Sequence, residues 1–247
     1  MRGFYRLIQK KSDFITYKYV AIFMLTYLQQ LDASLLVAIN GWHCPFADQL
    51  MWLISGKFSS ALILITLLAL SLRKGNWKKT LFLLIAIAIV VLIADRVSSG
   101  IIKPLVERLR PSHNPQLQAL VHVVNDYRGG KFGFVSSHAA NMFGIAAFVA
   151  MVMRNRYAWL CLLSWAAIVS YSRIYLGVHY PGDILGGMLV GFGAAWLVAY
   201  LWKKTQNRCR IPAMHTIFCR TDAAWLNLAV ATNLVLIIAI AAVQTLF

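Results

Sequence analysis

Three short stretches of this chain carry groups that could do chemistry together. KPLVERLRP holds Lys103 and, seven residues later, Arg110 before Pro111. FVSSHA holds Ser136, Ser137 and His138, and SRIYLGVHYPGD holds Ser172, Arg173, His179 and Asp183. Each adjoins a strongly apolar segment, and an ionisable group at membrane depth is costly and marks a functional site by default. Two histidines, one aspartate and three fixed cations suit chemistry on an oxyanion. The cations neutralise its charge, and an imidazole oriented by a carboxylate can serve as nucleophile or as acid and base.

Taken singly, the same residues have plainer roles. Lys103 could snorkel to an interface. Ser136 could be a helix N-cap. Asp183 could complement the dipole of a helix begun at Pro181. What those roles leave unexplained is why all three stretches fall on one face.

That face follows from the elements that must hold them. The chain has 247 residues, is 60% hydrophobic and has a mean hydropathy of +0.66. Soluble domains are nearer half apolar, so the expectation is an all-α, polytopic transmembrane bundle of about six spans. The clear spans run over 49–72 (with a polar patch at 56–60), 80–102, 137–153, 157–178, 183–202 and 225–247. Residues 1–30 form a basic extension or a weak first span. Residues 1–23 read as an extension, with Met24 a possible start of translation. Residues 31–202 form the functional core, 203–224 a basic cytoplasmic loop, and 225–247 an additional helix. Small residues at Gly182/Gly186 and Gly187/Gly191 suit close helix packing in lipid.

Lys and Arg total 24 against 8 Asp and Glu. In so apolar a chain this excess points to topology-setting loops and anionic headgroups, and to no nucleic-acid partner. Arg73, Lys74, Lys78 and Lys79 lie in one connection, Arg154 and Arg156 in another, and Lys203, Lys204, Arg208, Arg210 and Arg220 in a third. With Arg2, Arg6, Lys10, Lys11 and Lys18 they share one side if the spans alternate. By the positive-inside rule that side is cytoplasmic. The three chemical stretches then face outward, beside a long loop over 104–136. None of Cys44, Cys161, Cys209 and Cys219 has metal-site spacing.

Together the stretches resemble the signature of the type 2 phosphatidic acid phosphatase (PAP2) superfamily, which includes vanadium haloperoxidases and bacterial acid phosphatases. Its pattern is K-x6-R-P, then P-S-G-H, then S-R-x5-H-x3-D. Lys103…Arg110-Pro111 and Ser172-Arg173…His179…Asp183 match in full. Val135-Ser136-Ser137-His138 departs twice, with Val for Pro and Ser137 for Gly. The resemblance implies a bacterial inner-membrane lipid phosphatase with its site facing the exterior. His179 is then the nucleophile, Asp183 its orienter and His138 the general acid and base. Lys103, Arg110, Ser136, Ser137 and Arg173 bind phosphate. It implies no metal and no cofactor. Ser137 is tolerable where Gly is usual if only its backbone N–H is used at negative φ, and strained if φ must be positive.

The partners implied are the bilayer and a phosphorylated lipid: undecaprenyl diphosphate, phosphatidylglycerol phosphate, phosphatidic acid or lipid A. The motifs do not choose among these, nor do they give an oligomeric state. A phosphotransferase shares every motif, and a non-enzymatic lipid-binding or transport protein could keep the cations. The intact His179/Asp183 pair and His138 speak against the latter. Asp95-Arg96 reads as an intramembrane ion pair, Glu107 and Arg108 as solvated loop charges, and Ser172 as a support for Arg173. His113, His122, Asp126 and Arg128 belong to the outer loop, while His43 and His215 carry no pattern.

Overall fold

Helix formation follows the apolar runs. The computed structural model describes residues 2–73, 77–209, 217–219 and 221–246, with side chains described from Tyr17 to Lys204 and beyond Cys209. The elements are α1 (Arg2–Asn40), α2 (Pro45–Ser55), α3 (Ala61–Leu72), α4 (Trp77–Asp95), a π-helical turn (Arg96–Ile102), α5 (Lys103–Val106), α6 (Ser137–Met153), α7 (Arg156–Tyr175), α8 (Pro181–Cys209) and α9 (Asp222–Leu246). Apart from an isolated bridge between Leu109 and Phe132, the described residues form no sheet. His215 lies outside the described residues, as do 210–216 of the expected basic loop.

Four helical stretches are long and apolar enough to cross a bilayer: Tyr17–Asn40, Trp77–Val106, Pro181–Lys204 and Asp222–Leu246. The shorter apolar helices Ala61–Leu72 and Ser137–Met153 pack among them. The protein is a multi-pass membrane protein. Its α1 runs unbroken across residue 30 and exposes Phe23, Leu25 and Leu28.

The span expected over 49–72 is two helices. α2 ends at Ser55, the chain unwinds over 56–60, and α3 resumes at Ala61. Open backbone at membrane depth needs partners from protein. Asn233 Nδ2 donates to the Ser59 carbonyl at 2.7 Å, and Trp165 Nε1 donates to Ser60 Oγ at 2.9 Å.

α6 and α8 form the centre. α6 buries Ala139, Ala140, Phe143, Gly144, Ala147 and Phe148 among other residues. A Cβ on Gly187 would sit 2.4 Å from the Ser136 carbonyl oxygen, and one on Gly191 2.4 Å from that of Ala140. Glycine is therefore what lets the two backbones approach. Arg154, in the left-handed region at φ 50°, ends α6, and Asn155 caps α7 through the N–H groups of Tyr157 and Ala158. This tight turn makes α6 and α7 antiparallel neighbours.

Among the described residues no ion pair joins Asp95 to Arg96, contrary to expectation. Asp95 Oδ1 instead accepts from Ser99 Oγ at 3.2 Å, one turn along the same helix.

Candidate active site

The start of α8 builds the reactive pair. Pro181 opens the helix, and Asp183 in its first turn accepts the Tyr180 N–H on Oδ2 at 3.0 Å, as the distal member of a capping box does. The same oxygen lies 3.2 Å from Nδ1 of His179, one helical turn back. A cap therefore fixes the carboxylate, and the carboxylate fixes the ring. Both residues are fully buried.

On the other edge of that ring, Arg110 Nη1 stands 3.1 Å from His179 Nε2 and 3.1 Å from the Val178 carbonyl. An arginine can only donate, so Nε2 accepts and the ring proton sits on Nδ1, directed at Asp183. Burial, followed by the charges of Arg110, Arg173 and Lys103, holds the His179 pKa well below its ordinary value. The pair is therefore a hydrogen bond between a neutral ring and a carboxylate, with a lone pair on Nε2.

The remaining cations close around it. Arg173, near the end of α7, donates through Nη2 to Tyr127 Oη at 3.1 Å and through Nη1 to Ser55 Oγ. Its guanidinium also covers the Tyr127 ring, 5.3 Å from the centroid. Burial raises the Tyr127 pKa, but the adjacent Arg173, with Arg110, outweighs it and holds the phenol below its ordinary value. Lys103 Nζ donates to Ser137 Oγ at 3.2 Å. Burial and the charge of Arg173 lower Arg110 from its ordinary value.

Ser136 caps α6. Its hydroxyl accepts the Ala139 N–H, and its own N–H donates to the Asp183 carbonyl at 2.9 Å. The starts of α6 and α8 are thereby tied together. Ser137 follows as the first residue of α6 and is not among the positive-φ residues, so its replacement of Gly introduces no backbone strain. The N–H groups of Ser137 and His138 precede the point where the helix ladder begins, and they lie at the positive end of the dipole. His138 lies within the field of Arg173, Arg110, Lys103 and His179. The structure thus brings together Lys103, Arg110, Ser136, Ser137, His138, Arg173, His179 and Asp183.

Tyr127 and Ser55, which hold Arg173, went unrecognised in the sequence, and so did Arg108 and Asp32. Arg108, expected to be solvated, donates through Nη1 to Asp183 Oδ1 at 3.0 Å and through Nη2 to Asp32 Oδ2 at 2.7 Å. Its guanidinium stacks on Tyr180, 3.8 Å from the ring centroid. Asp32 also accepts the Gly182 N–H on Oδ1 at 2.7 Å. A carboxylate within the candidate span Tyr17–Asn40 demands a partner, and that was the available signal.

Outside the site, His43, Asp48 and His122 bring their ligand atoms within 4.8 Å of one another, the one group of this kind among the described residues. The Asp48 carboxylate is engaged by His122 Nε2 at 3.0 Å and by the Tyr175 hydroxyl at 2.7 Å. His122 thus ties the outer loop to α2 and α7. His113 contacts Ser112, and Arg128 donates to the Ser112 carbonyl, both within the loop.

The PAP2 superfamily model matches residues 79–208. A lipid A 4'-phosphatase of Bacteroides thetaiotaomicron is 40% identical over 187 residues, covering 75% of this chain and 83% of that protein. A lipid A 4'-phosphatase of Porphyromonas gingivalis is 36% identical, covering 74% and 78% respectively. Among solved structures, a transmembrane PAP2-type phosphatidylglycerolphosphate phosphatase from Bacillus subtilis superposes with a TM-score of 0.55 at 25% identity, over 72% of this chain and 87% of that one.

Proposed function

The chain belongs to the PAP2 superfamily, and on that premise we propose that it removes the phosphate of a lipid A-type phosphomonoester through a phosphohistidine at the extracytoplasmic face. The observation that carries the chemistry is the His179 ring, with Nδ1 on Asp183 and Nε2 under Arg110. That arrangement presents a neutral nucleophile to a group held by cations. The choice of lipid A over other lipid phosphates is supported by the two relatives named for that activity.

The arriving phosphate takes over the Nη1 of Arg110 and exposes Nε2. Lys103, Arg110 and Arg173 neutralise the dianion, and fixed charges in a water-poor site stabilise the charge that develops on its equatorial oxygens. Nε2 forms a bond to phosphorus as the bond to the lipid oxygen breaks. His138 gives its proton to that oxygen. Water then attacks the phosphohistidine, His138 takes a proton from the water, and the bond between phosphorus and Nε2 breaks to release inorganic phosphate. Asp183 stabilises the charged ring between the two steps. The outward orientation is supported by the side bias of the basic connections.

The test is phosphate release from purified protein on a panel of lipid A, undecaprenyl diphosphate, phosphatidylglycerol phosphate and phosphatidic acid. Release should be greatest from lipid A, resist EDTA, be inhibited by vanadate and vanish in His179→Ala. A full-rate His179→Ala would end the proposal, and preference for another lipid would end the substrate assignment. Transfer of labelled phosphoryl to a lipid alcohol instead of water would make the protein a transferase.

A further inference from the structure

We infer that His43, Asp48 and His122 form a binding site for a divalent transition-metal ion of the zinc class, and that the ion clamps the loop over 104–136 to the junction of α1 and α2. The site is separate from the phosphoryl chemistry, and the inference does not depend on the function proposed above. The ligand atoms of the three residues lie within 4.8 Å of one another. They come from three segments: His43 from the connection after α1, Asp48 from the first turn of α2, and His122 from the loop.

Asp48 and His122 already stand close to the spacing of a metal shell. His122 Nε2 is 3.1 and 3.0 Å from the two Asp48 oxygens. Two ligands on one tetrahedral ion with bonds of about 2.0–2.1 Å are roughly 3.3 Å apart. A modest swing of the ring therefore lets an ion replace the proton between them. Both residues are also held from behind. The Tyr175 hydroxyl donates to Asp48 Oδ1 at 2.7 Å, which leaves Oδ2 for the ion. Asn40, fully buried, grips the His122 backbone on both sides. Its Oδ1 accepts the His122 N–H at 2.7 Å, and its Nδ2 donates to the His122 carbonyl at 2.9 Å and to the Tyr175 carbonyl at 2.6 Å. Partners of this kind orient the ligands of a metal and are part of such a site.

A hydrogen-bonded strap between loop and helix would need only Asp48 and His122. The second histidine is the feature that points to an ion. The His43 ring lies flat on that of His122, with centroids 3.8 Å apart and planes 5° from parallel. Lone pairs of parallel rings lie in separate planes and do not converge, so His43 must turn to ligate. It is exposed and sits in a short non-helical connection, so it is free to do so. Giving up one ring stack lowers the affinity by no more than about tenfold. The donor set then selects the ion. Two imidazole nitrogens and a carboxylate oxygen, completed by water, suit zinc and its borderline neighbours. Magnesium and calcium prefer shells of oxygen, and this group offers one carboxylate. The clamp fastens the loop beside Val124, which packs with Tyr175, Leu176 and Val178, and upstream of Tyr127, which holds Arg173.

The test uses the full-length, tag-free chain in nanodiscs, treated with EDTA and then freed of it. Calorimetric titration with zinc chloride should show saturable binding of one ion per chain. At free zinc about a hundred times the measured Kd, the folding equilibrium should shift about a hundredfold, read as a rise in Tm. Magnesium and calcium at the same concentration should do neither, and cobalt should bind with the visible absorption of a four-coordinate ion. His43→Ala removes an exposed side chain, so the zinc-free Tm should stay as in the wild type while zinc affinity falls about a hundredfold or more. Asp48→Asn should lose binding as well. His113→Ala, in the same loop but outside the group, should bind as the wild type does. No saturable zinc binding by the wild type overturns the inference and leaves the three residues a hydrogen-bonded strap. Affinity unchanged in His43→Ala, or lost instead in His113→Ala, overturns it too, as does an equal response to magnesium. Binding and melting are read without substrate, so failure here leaves the phosphatase function standing, and absence of phosphate release leaves the metal site standing.

Discussion

The guanidinium of Arg108 meets the carboxylate of Asp183 at 3.0 Å, and this contact assigns the two carboxylate oxygens their roles. Oδ1 is taken by Arg108, which leaves Oδ2 for His179 and the Tyr180 N–H. Arg108 in turn leans on Asp32, so α1 reaches the nucleophile through two charges.

Breaking this chain should slow chemistry more than binding. Removing one partner of a buried charge pair is strongly destabilising. Arg108→Ala should lower kcat about a hundredfold with little change in KM, and Asp32→Asn about tenfold, because Arg108 keeps its second partner. Arg108→Lys should recover part of the loss, since an ammonium lacks the fork that spans two carboxylates. Steady-state kinetics on the four variants, including wild type, provide the check. An unchanged kcat in Arg108→Ala would remove Arg108 from the positioning role.

The depressed pKa of His179 has a definite sign. Burial and three neighbouring cations disfavour the imidazolium, so Nε2 keeps its lone pair below the ordinary histidine pKa of about 6.5. In labelled-histidine NMR, the ring should stay neutral from pH 8 through 6.5 and protonate only well below that. The unfolded chain takes up this proton near pH 6.5 and the folded one does not. Stability from this group is therefore complete above about pH 6.5 and declines as pH falls through the window down to the folded pKa. A midpoint at or above 6.5 in the folded protein would contradict the assignment.

Tyr127→Phe keeps the ring face under Arg173 and removes the hydroxyl at 3.1 Å. Losing one hydrogen bond to a charged group amounts to about 1.5–3 kcal/mol at most. Since Ser55 still holds Nη1, KM should rise about three- to tenfold with kcat nearly kept. A fall in kcat alone would place Tyr127 in the chemical step instead.

Two glycines in α8 should behave oppositely. A Cβ at Gly191 would meet the Ala140 carbonyl oxygen at 2.4 Å, whereas one at Gly193 would meet nothing within 4 Å. Gly191→Ala should destabilise the detergent-solubilised protein by about 1–3 kcal/mol through overpacking. Gly193→Ala should be neutral or stabilising, because alanine is the better helix former. Thermal melts of the pair test whether α6 and α8 approach as closely as described.

The sequence was most informative where one segment carries a whole function. His179 and Asp183 sit one helical turn apart with Pro181 between them, and that spacing brings the carboxylate within reach of Nδ1. Ser137, which departs from the expected glycine, proves harmless because its φ is not positive and its hydroxyl accepts from Lys103. The α2–α3 interruption showed only as a polar patch at 56–60. Its partners, Trp165 and Asn233, lie on distant helices and could not be paired without coordinates. Arg108 was missed for the same reason. Beside Glu107 it resembles a loop charge, and its partner Asp32 lies in another helix. Contacts between segments remote in sequence leave only a burial demand on each partner, and such a demand does not say which residue meets it.

The central claim is the covalent step at His179, and rapid quenching with phosphorus-labelled para-nitrophenyl phosphate tests it most directly. This leaving group departs without a proton, so His138→Ala still permits attack by Nε2 but cannot activate water against the intermediate. The account predicts that His138→Ala accumulates label that is acid-labile, base-stable and located on His179, and that a further His179→Ala change abolishes it. Label on another residue, or turnover by His179→Ala at the wild-type rate, would contradict it.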